Sequence, residues 1–283
     1  MISIIGCLAA IIIAPFLGGL ITGIDRILTA RMQSRVGPPV LQPFYDVLKL
    51  FEKQKLAVNR FHGDFVLCAL VFTILSVGLF FAGQNLLITL FSLVVANVFL
   101  VLAGYAGSSP YSSLGAEREL LQMLATEPMI LLTAVGFYLV AGSFDIAQIV
   151  QTDKPFILYL PGVFIALTYI LTIKLRKSPF DLSTSHHAHQ ELVKGLTTEF
   201  AGPSLAWFEV IHWYETVLLL GLIYLFFANL PWLGLLAALF IYFIEILIDN
   251  INARIKWELM LGSAWVLTVV LGVGNLLIVY LLK

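Results

Sequence analysis

"SLAWFEVIHWYETVLLLGLIYLFFA" (residues 204–228) is a 25-residue run whose only acids and histidine are Glu209, His212 and Glu215. It is long enough to cross a hydrocarbon layer, which takes roughly 20 mostly apolar residues. Closed backbone hydrogen bonding is what allows such a segment to be a helix in lipid. A carboxyl within a span costs on the order of 2.5–3.5 kcal/mol on insertion scales, so it usually faces a cavity, a partner or an ion path. Read as a span, the stretch sets two questions: how many others are there, and what are the acids for?

The whole chain has the same character. Of 283 residues 60% are hydrophobic and 12% charged, with mean hydropathy +0.98, whereas a soluble domain is typically about a quarter charged. Eight candidate spans follow, at about 2–24, 64–82, 86–106, 120–141, 156–173, 204–228, 232–249 and 260–282. The fold class expected is therefore an all-α integral membrane protein, one polytopic domain over 1–283. The first span reads as uncleaved, since no basic region precedes it.

The connections 1–2, 3–4, 5–6 and 7–8 hold 14 of the 16 lysines and arginines, leaving only Lys154 and Lys283 opposite. That bias assigns those connections to the cytoplasm and both termini to the outside of the cell membrane. Two cysteines, Cys7 and Cys68, cannot bind a cluster by themselves, and no basic soluble patch suggests nucleic acid.

Within the first connection, Gly37-Pro38-Pro39 ends the helix. Phe44, Val47, Leu48 and Phe51 then recur at helical spacing opposite Asp46, Lys49, Glu52 and Lys53. This predicts an amphipathic helix on the membrane surface.

Acids recur in other spans. Glu127 precedes Pro128, which removes a backbone donor and predicts a kink. Glu209, His212 and Glu215 step by three, so neighbours can touch. Glu245 and Asp249, four apart, share a face, which favours a shared proton or a captured cation. With Glu199 they form a candidate ion pathway. "SPFDLSTSHHAHQELVKGLTTEF" (178–200) supplies the third long loop. Its His186, His187 and His189 lack the cysteine or second histidine cluster of a structural metal site. No catalytic, cofactor-binding or metal residues are expected on this chain.

Two motifs carry a family resemblance. Arg31, Gln33, Arg35, Gly37 and Pro38, then Leu41, Gln42, Pro43, Asp46, Lys49 and Leu50 resemble the NuoH-type subunit of respiratory complex I. They equally resemble the EchB-type membrane subunit of group 4 energy-converting nickel–iron hydrogenases. Pro179-Phe180-Asp181-Leu182, Glu191-Leu192-Val193, Gly195, Glu199-Phe200 and Gly202 continue the match.

Complex I members place acidic residues directly after P-F-D-L, near the quinone chamber. This chain has "STSHHAHQ" there, closer to the hydrogenase relatives. The resemblance implies a non-redox subunit of a ferredoxin-dependent hydrogenase complex that couples H2 formation to H⁺ or Na⁺ translocation. Its partners would be hydrogenase large and small iron–sulfur subunits and antiporter-like membrane subunits, with ferredoxin as electron donor. The nickel–iron centre and 4Fe–4S clusters would lie on those partners.

Docking residues implied are Arg31, Arg35, Asp46, Lys49, Glu117, Glu119, Asp181, His186, His187, His189 and Glu191. The alternative is a quinone-site subunit of a complex I-like oxidoreductase. A stand-alone ion-coupled transporter would show duplicated halves with broken helices, and none is found.

Overall fold

The computed structural model describes residues 2–54, 59–153, 155–184 and 194–282. Among these residues twelve α-helices follow in order: α1 Ile2–Met32, α2 Gln42–Glu52, α3 Arg60–Phe81, α4 Leu86–Tyr105, α5 Pro110–Ala141 and α6 Ile146–Val150. Then come α7 Phe156–Tyr159, α8 Pro161–Lys174, α9 Pro203–Leu225, α10 Pro231–Ile251, α11 Trp257–Leu267 and α12 Gly274–Leu281. A π-helical turn, Thr268–Val273, joins the last two into one rod. Among the described residues, seven helices are long and apolar enough to cross a membrane. The protein is an all-α, multi-pass membrane protein.

The eighth expected span, 156–173, has a different form. Leu160 leaves helical geometry (φ −122°, ψ 43°), and Pro161 starts a new helix of only 14 residues. At 1.5 Å per residue α8 extends about 21 Å, short of the roughly 30 Å hydrocarbon layer. Its direction still counts as a crossing, because hydrogen bonds sort the connections into two ends. At one end Asn59 Nδ2 donates to Ala106 O (3.2 Å), Ser108 N to Glu199 (2.9 Å) and Arg254 to Asp181 O (2.6 Å). At the other, Leu86 N donates to Phe144 O (2.9 Å) and Ile157 N to Phe226 O (3.3 Å). α8 runs from the second end towards the first.

Burial separates centre from rim. α8 and α9 are enclosed, with Leu167, Ile170, Leu218 and Ile223 fully inside the core. α10 and the final rod of α11, the π-helical turn and α12 expose Leu236, Phe240, Val266, Val270 and Leu277, each more than half accessible, as lipid-facing helices do. α5 passes through Pro128 as one continuous helix.

α2 is helical as expected, but its packed stripe is shifted. Phe44, Val47 and Leu50 pack on Ala206 and Trp213 of α9, whereas Leu48 and Phe51 are 60% and 45% exposed. At about 100° per residue the two sets lie on adjacent flanks of α2. A surface helix has two apolar neighbours, protein and bilayer, and the sequence pattern merges them. Close seating depends on α1. A Cβ on Gly19 would stand 2.5 Å from the Phe44 ring, and one on Gly18 would stand 2.4 Å from Trp213 O.

Candidate functional site

The short α8 decides where charge sits. Because the helix starts late, at Pro161, and has only 14 residues, its terminal Lys174 and the following Arg176 and Lys177 lie inside the bundle. Lys174 Nζ is 2.6 Å from Glu127 Oε1 on α5 and 3.9 Å from Glu215 Oε1, at the middle of α9. Arg176 Nη2 reaches Glu119 Oε1 at 2.8 Å, with both side chains under 10% exposed, and its guanidinium lies over the Phe208 ring. Lys177 pairs with Asp25 of α1 and, at 3.2 Å, with Asp249 of α10. Tyr242 donates a further bond to Asp25 (3.1 Å).

Burial works against the charge on Arg176 and Lys177. The carboxylates of Glu119 and Glu215 outweigh it at Arg176, and those of Asp25 and Asp249 at Lys177. Both bases are held above their ordinary values.

The Pro179–Leu182 motif is the fixture that keeps this basic trio in place. Ile255 N donates to Pro179 O (3.0 Å), Gln122 to Phe180 O (2.6 Å) and Arg254 to Asp181 O (2.6 Å). Arg118 and Arg254 both reach Leu182 O at 3.4 Å. Buried backbone carbonyls need donors, and here α5 and the α10–α11 connection supply them.

The expected ion-pathway residues divide into several settings. Glu127, Glu215 and Asp249 join the trio. Glu245 is completely buried on α10, facing Thr172, and neither carboxyl oxygen meets the geometry of a hydrogen bond among the described residues. Asp249 is committed to Lys177 and to Ser178 N (2.9 Å), so it does not simply share a proton with Glu245.

Glu209 is elsewhere: it lines a cavity with Arg26, Asp46 and Lys49. Six residues separate it from Glu215, about 240° around a helix, so two successive steps of three do not make one face. Half-buried His212 lies between them. Glu199 accepts from Ser108 N (2.9 Å) in a third place, near buried His62, whose ring packs edge-on against Phe200.

Among the expected docking residues, Arg31, Arg35, Lys49 and Glu117 are exposed, and Asp181 is half-buried beside Arg254 Nε (3.4 Å). Asp46 accepts from Arg26 (2.8 Å), Gln42 (3.1 Å) and Lys49 (3.4 Å). Burial works to raise its carboxyl, but those bonds and the Arg26 charge outweigh it and hold it below the ordinary value. Glu119 is corrected: at 5% exposure and bound to Arg176, it belongs to the buried cluster rather than a docking surface. His186, His187, His189 and Glu191 lie outside the described residues.

Sequence reasoning counted Lys174, Arg176 and Lys177 only as orientation charges and passed over Asp25. The signal available was K-x-R-K directly after an apolar run begun by a proline. A helix that starts late and ends at its normal residue carries its terminal charges inward.

The family model described as NADH dehydrogenase matches residues 5–280. Hydrogenase-4 component C of Escherichia coli (strain K12) is 34% identical over 220 residues, covering 72% of this chain and 68% of that protein. Formate hydrogenlyase subunit 4 of the same organism is 29% identical over 279 residues, covering 87% and 89%. A chain from the structure of the membrane-bound sulfane sulfur reductase, an archaeal respiratory membrane complex, shares the fold. It superposes with a TM-score of 0.84 at 23% identity over 98% of this chain and 99% of that one. From its first span to its last, this chain belongs to the NADH dehydrogenase subunit 1/NuoH family.

Proposed function

We propose that this chain is the non-redox membrane subunit of a ferredoxin-dependent energy-converting nickel–iron hydrogenase, coupling H2 formation to movement of H⁺ or Na⁺. One observation carries the coupling role: six carboxyls, Asp25, Glu119, Glu127, Glu215, Glu245 and Asp249, surround three bases. Ionising all six would leave three uncompensated negative charges in a low-dielectric bundle, which is strongly unfavourable. The cluster therefore holds protons or a cation, and any shift of Lys174 between Glu127 and Glu215 redistributes that charge.

The relatives named above favour the hydrogenase reading, as does "STSHHAHQ" (183–190) where quinone-reducing members carry acids. Partners would be the hydrogenase large and small subunits and antiporter-like membrane subunits, with the nickel–iron and iron–sulfur centres on those partners. The basic connections would face the cytoplasm and meet the peripheral module through Arg31, Arg35, Lys49 and Glu117. A second reading, a quinone-site subunit, is favoured by an apolar groove between α1, α2 and α9.

Detergent-purified complex separates the two. Ferredoxin-driven hydrogen evolution supports the first, and quinone reduction blocked by quinone-site inhibitors defeats it. In proteoliposomes, Glu215→Gln should lower electron transfer and ion movement together with every subunit retained. A variant with unchanged ion movement would refute the pathway role.

A further inference from the structure

α2 does not close completely against α9, and it leaves two cavities that meet at two side chains. One, about 280 Å³, is walled by Arg26, Asp46, Lys49, Lys53, Lys194 and Glu209. The other, about 450 Å³, is walled by Phe16, Leu20, Leu41, Phe44 and Leu48. Val47 and Trp213 line both.

The polar cavity carries four bases against two acids. Arg26 and Lys49 share Asp46, while neither Lys53 nor Lys194 has an acidic partner among the described residues. Both reappear in a third hollow of about 360 Å³ that continues past them to Phe200 and Gly202. Facing lysines with surplus charge favour an anion, as basic pockets between membrane helices favour lipid phosphates.

At the seam, Trp213 is 3% exposed and its indole N–H lacks an acceptor among the described residues. Buried donors are normally paired. The apolar cavity opens outward, since Phe16, Leu41 and Leu48 are 58%, 49% and 60% exposed.

We infer that α1, α2 and α9 form a binding site for an anionic phospholipid. The phosphate lies between Lys53 and Lys194, a glycerol-ester carbonyl accepts from Trp213 Nε1, and one acyl chain follows Phe16, Leu20 and Leu48. The order cation, lone donor, apolar groove matches the order phosphate, ester, chain. A neutral quinone would use the donor and the groove but leave both lysines uncompensated. Free phosphate would leave the groove unused. The proposal rests on the hydrogenase reading, because a quinone-reducing complex would place its quinone in the same groove.

Native mass spectrometry of the whole complex, stripped by detergent exchange and titrated with phosphatidylglycerol or phosphatidylcholine of identical chains, tests this. Phosphatidylglycerol should be retained roughly tenfold or more in preference, the scale of two phosphate-facing lysines. The preference should vanish in Lys53→Ala/Lys194→Ala and survive in Lys53→Arg/Lys194→Arg. Trp213→Phe should weaken both lipids and keep the preference. Equal retention of the two lipids by the unaltered complex, or an unchanged preference in the alanine variant, would overturn the proposal. So would displacement of the bound lipid by a short-chain quinone or by inorganic phosphate. If the alanine variant does not assemble, the lipid pair and the displacement arms on unaltered complex decide.

Discussion

Two acid–base groups in this chain use the same chemistry in different surroundings. At the surface, Arg26 and Asp46 sit 2.8 Å apart with side chains 39% and 29% exposed. In the bundle, Arg176 and Glu119 sit at the same 2.8 Å with side chains 9% and 7% exposed. Distance alone would rank them equal. Water does not, because an exposed ion left alone is rehydrated and a buried one is not. The surface group is therefore free to exchange partners, whereas the interior group fixes where α5, α8 and α10 stand relative to one another.

The largest effect should come from breaking the interior pair on one side. Arg176→Ala leaves Glu119 buried without its counter-ion and should destabilise the complex by about 3–5 kcal/mol, read as loss of assembled complex on size exclusion or a lowered thermal midpoint in detergent. Arg176→Met with Glu119→Leu replaces both charges by apolar volume and should recover most of that loss. If the double variant is as unstable as the single, the pair is not what holds these helices.

Lys174 gives a finer version of the same comparison. Lys174→Met strands Glu127 and Glu215 together and should cost about 3–5 kcal/mol. Glu127→Gln should cost only about 1–2 kcal/mol, because Lys174 still has Glu215 at 3.9 Å and an amide oxygen still accepts a bond. Equal losses in the two variants would show that Lys174 has one real partner rather than two.

How much of this was legible in the chain itself follows from what periodicity records. It records how apolar a segment is and which flank is polar, so the long spans and α2 were readable, as was the π-turned final rod as a single span. It does not record depth. The break at Leu160–Pro161 lies within the apolar run read as one span over 156–173, yet it shortens α8 and carries Lys174, Arg176 and Lys177 into the bundle. Depth also depends on neighbours: Asp25 reads as the end of a span until Lys177, brought from α8, is found beside it. Glu209 and Glu215 read as one line of acids because each step of three is a contact, although the ends face different helices. Trp213 gave no signal at all, since an indole in an apolar run looks like core until its N–H is seen without an acceptor among the described residues.

The surface group should give the smaller effects, and they should have the opposite dependence on solution conditions. Arg26→Ala should cost no more than about 1 kcal/mol, and the difference from unaltered protein should shrink as salt is added. Acidity separates the two groups further. Asp46 lies below its ordinary value in the folded chain, so its contribution is present above the unfolded value and lost as pH falls through the folded one. Lys177 lies above its ordinary value, so its contribution is complete below the unfolded lysine value and lost as pH rises through the folded one. Thermal midpoints of Asp46→Asn should therefore converge with those of unaltered protein only at strongly acidic pH, and those of Lys177→Met only at strongly alkaline pH. If both converge at the same end of the scale, the charges assigned to the two groups are wrong, and the contrast between a hydrated latch on α2 and a buried clasp at the end of α8 fails with them.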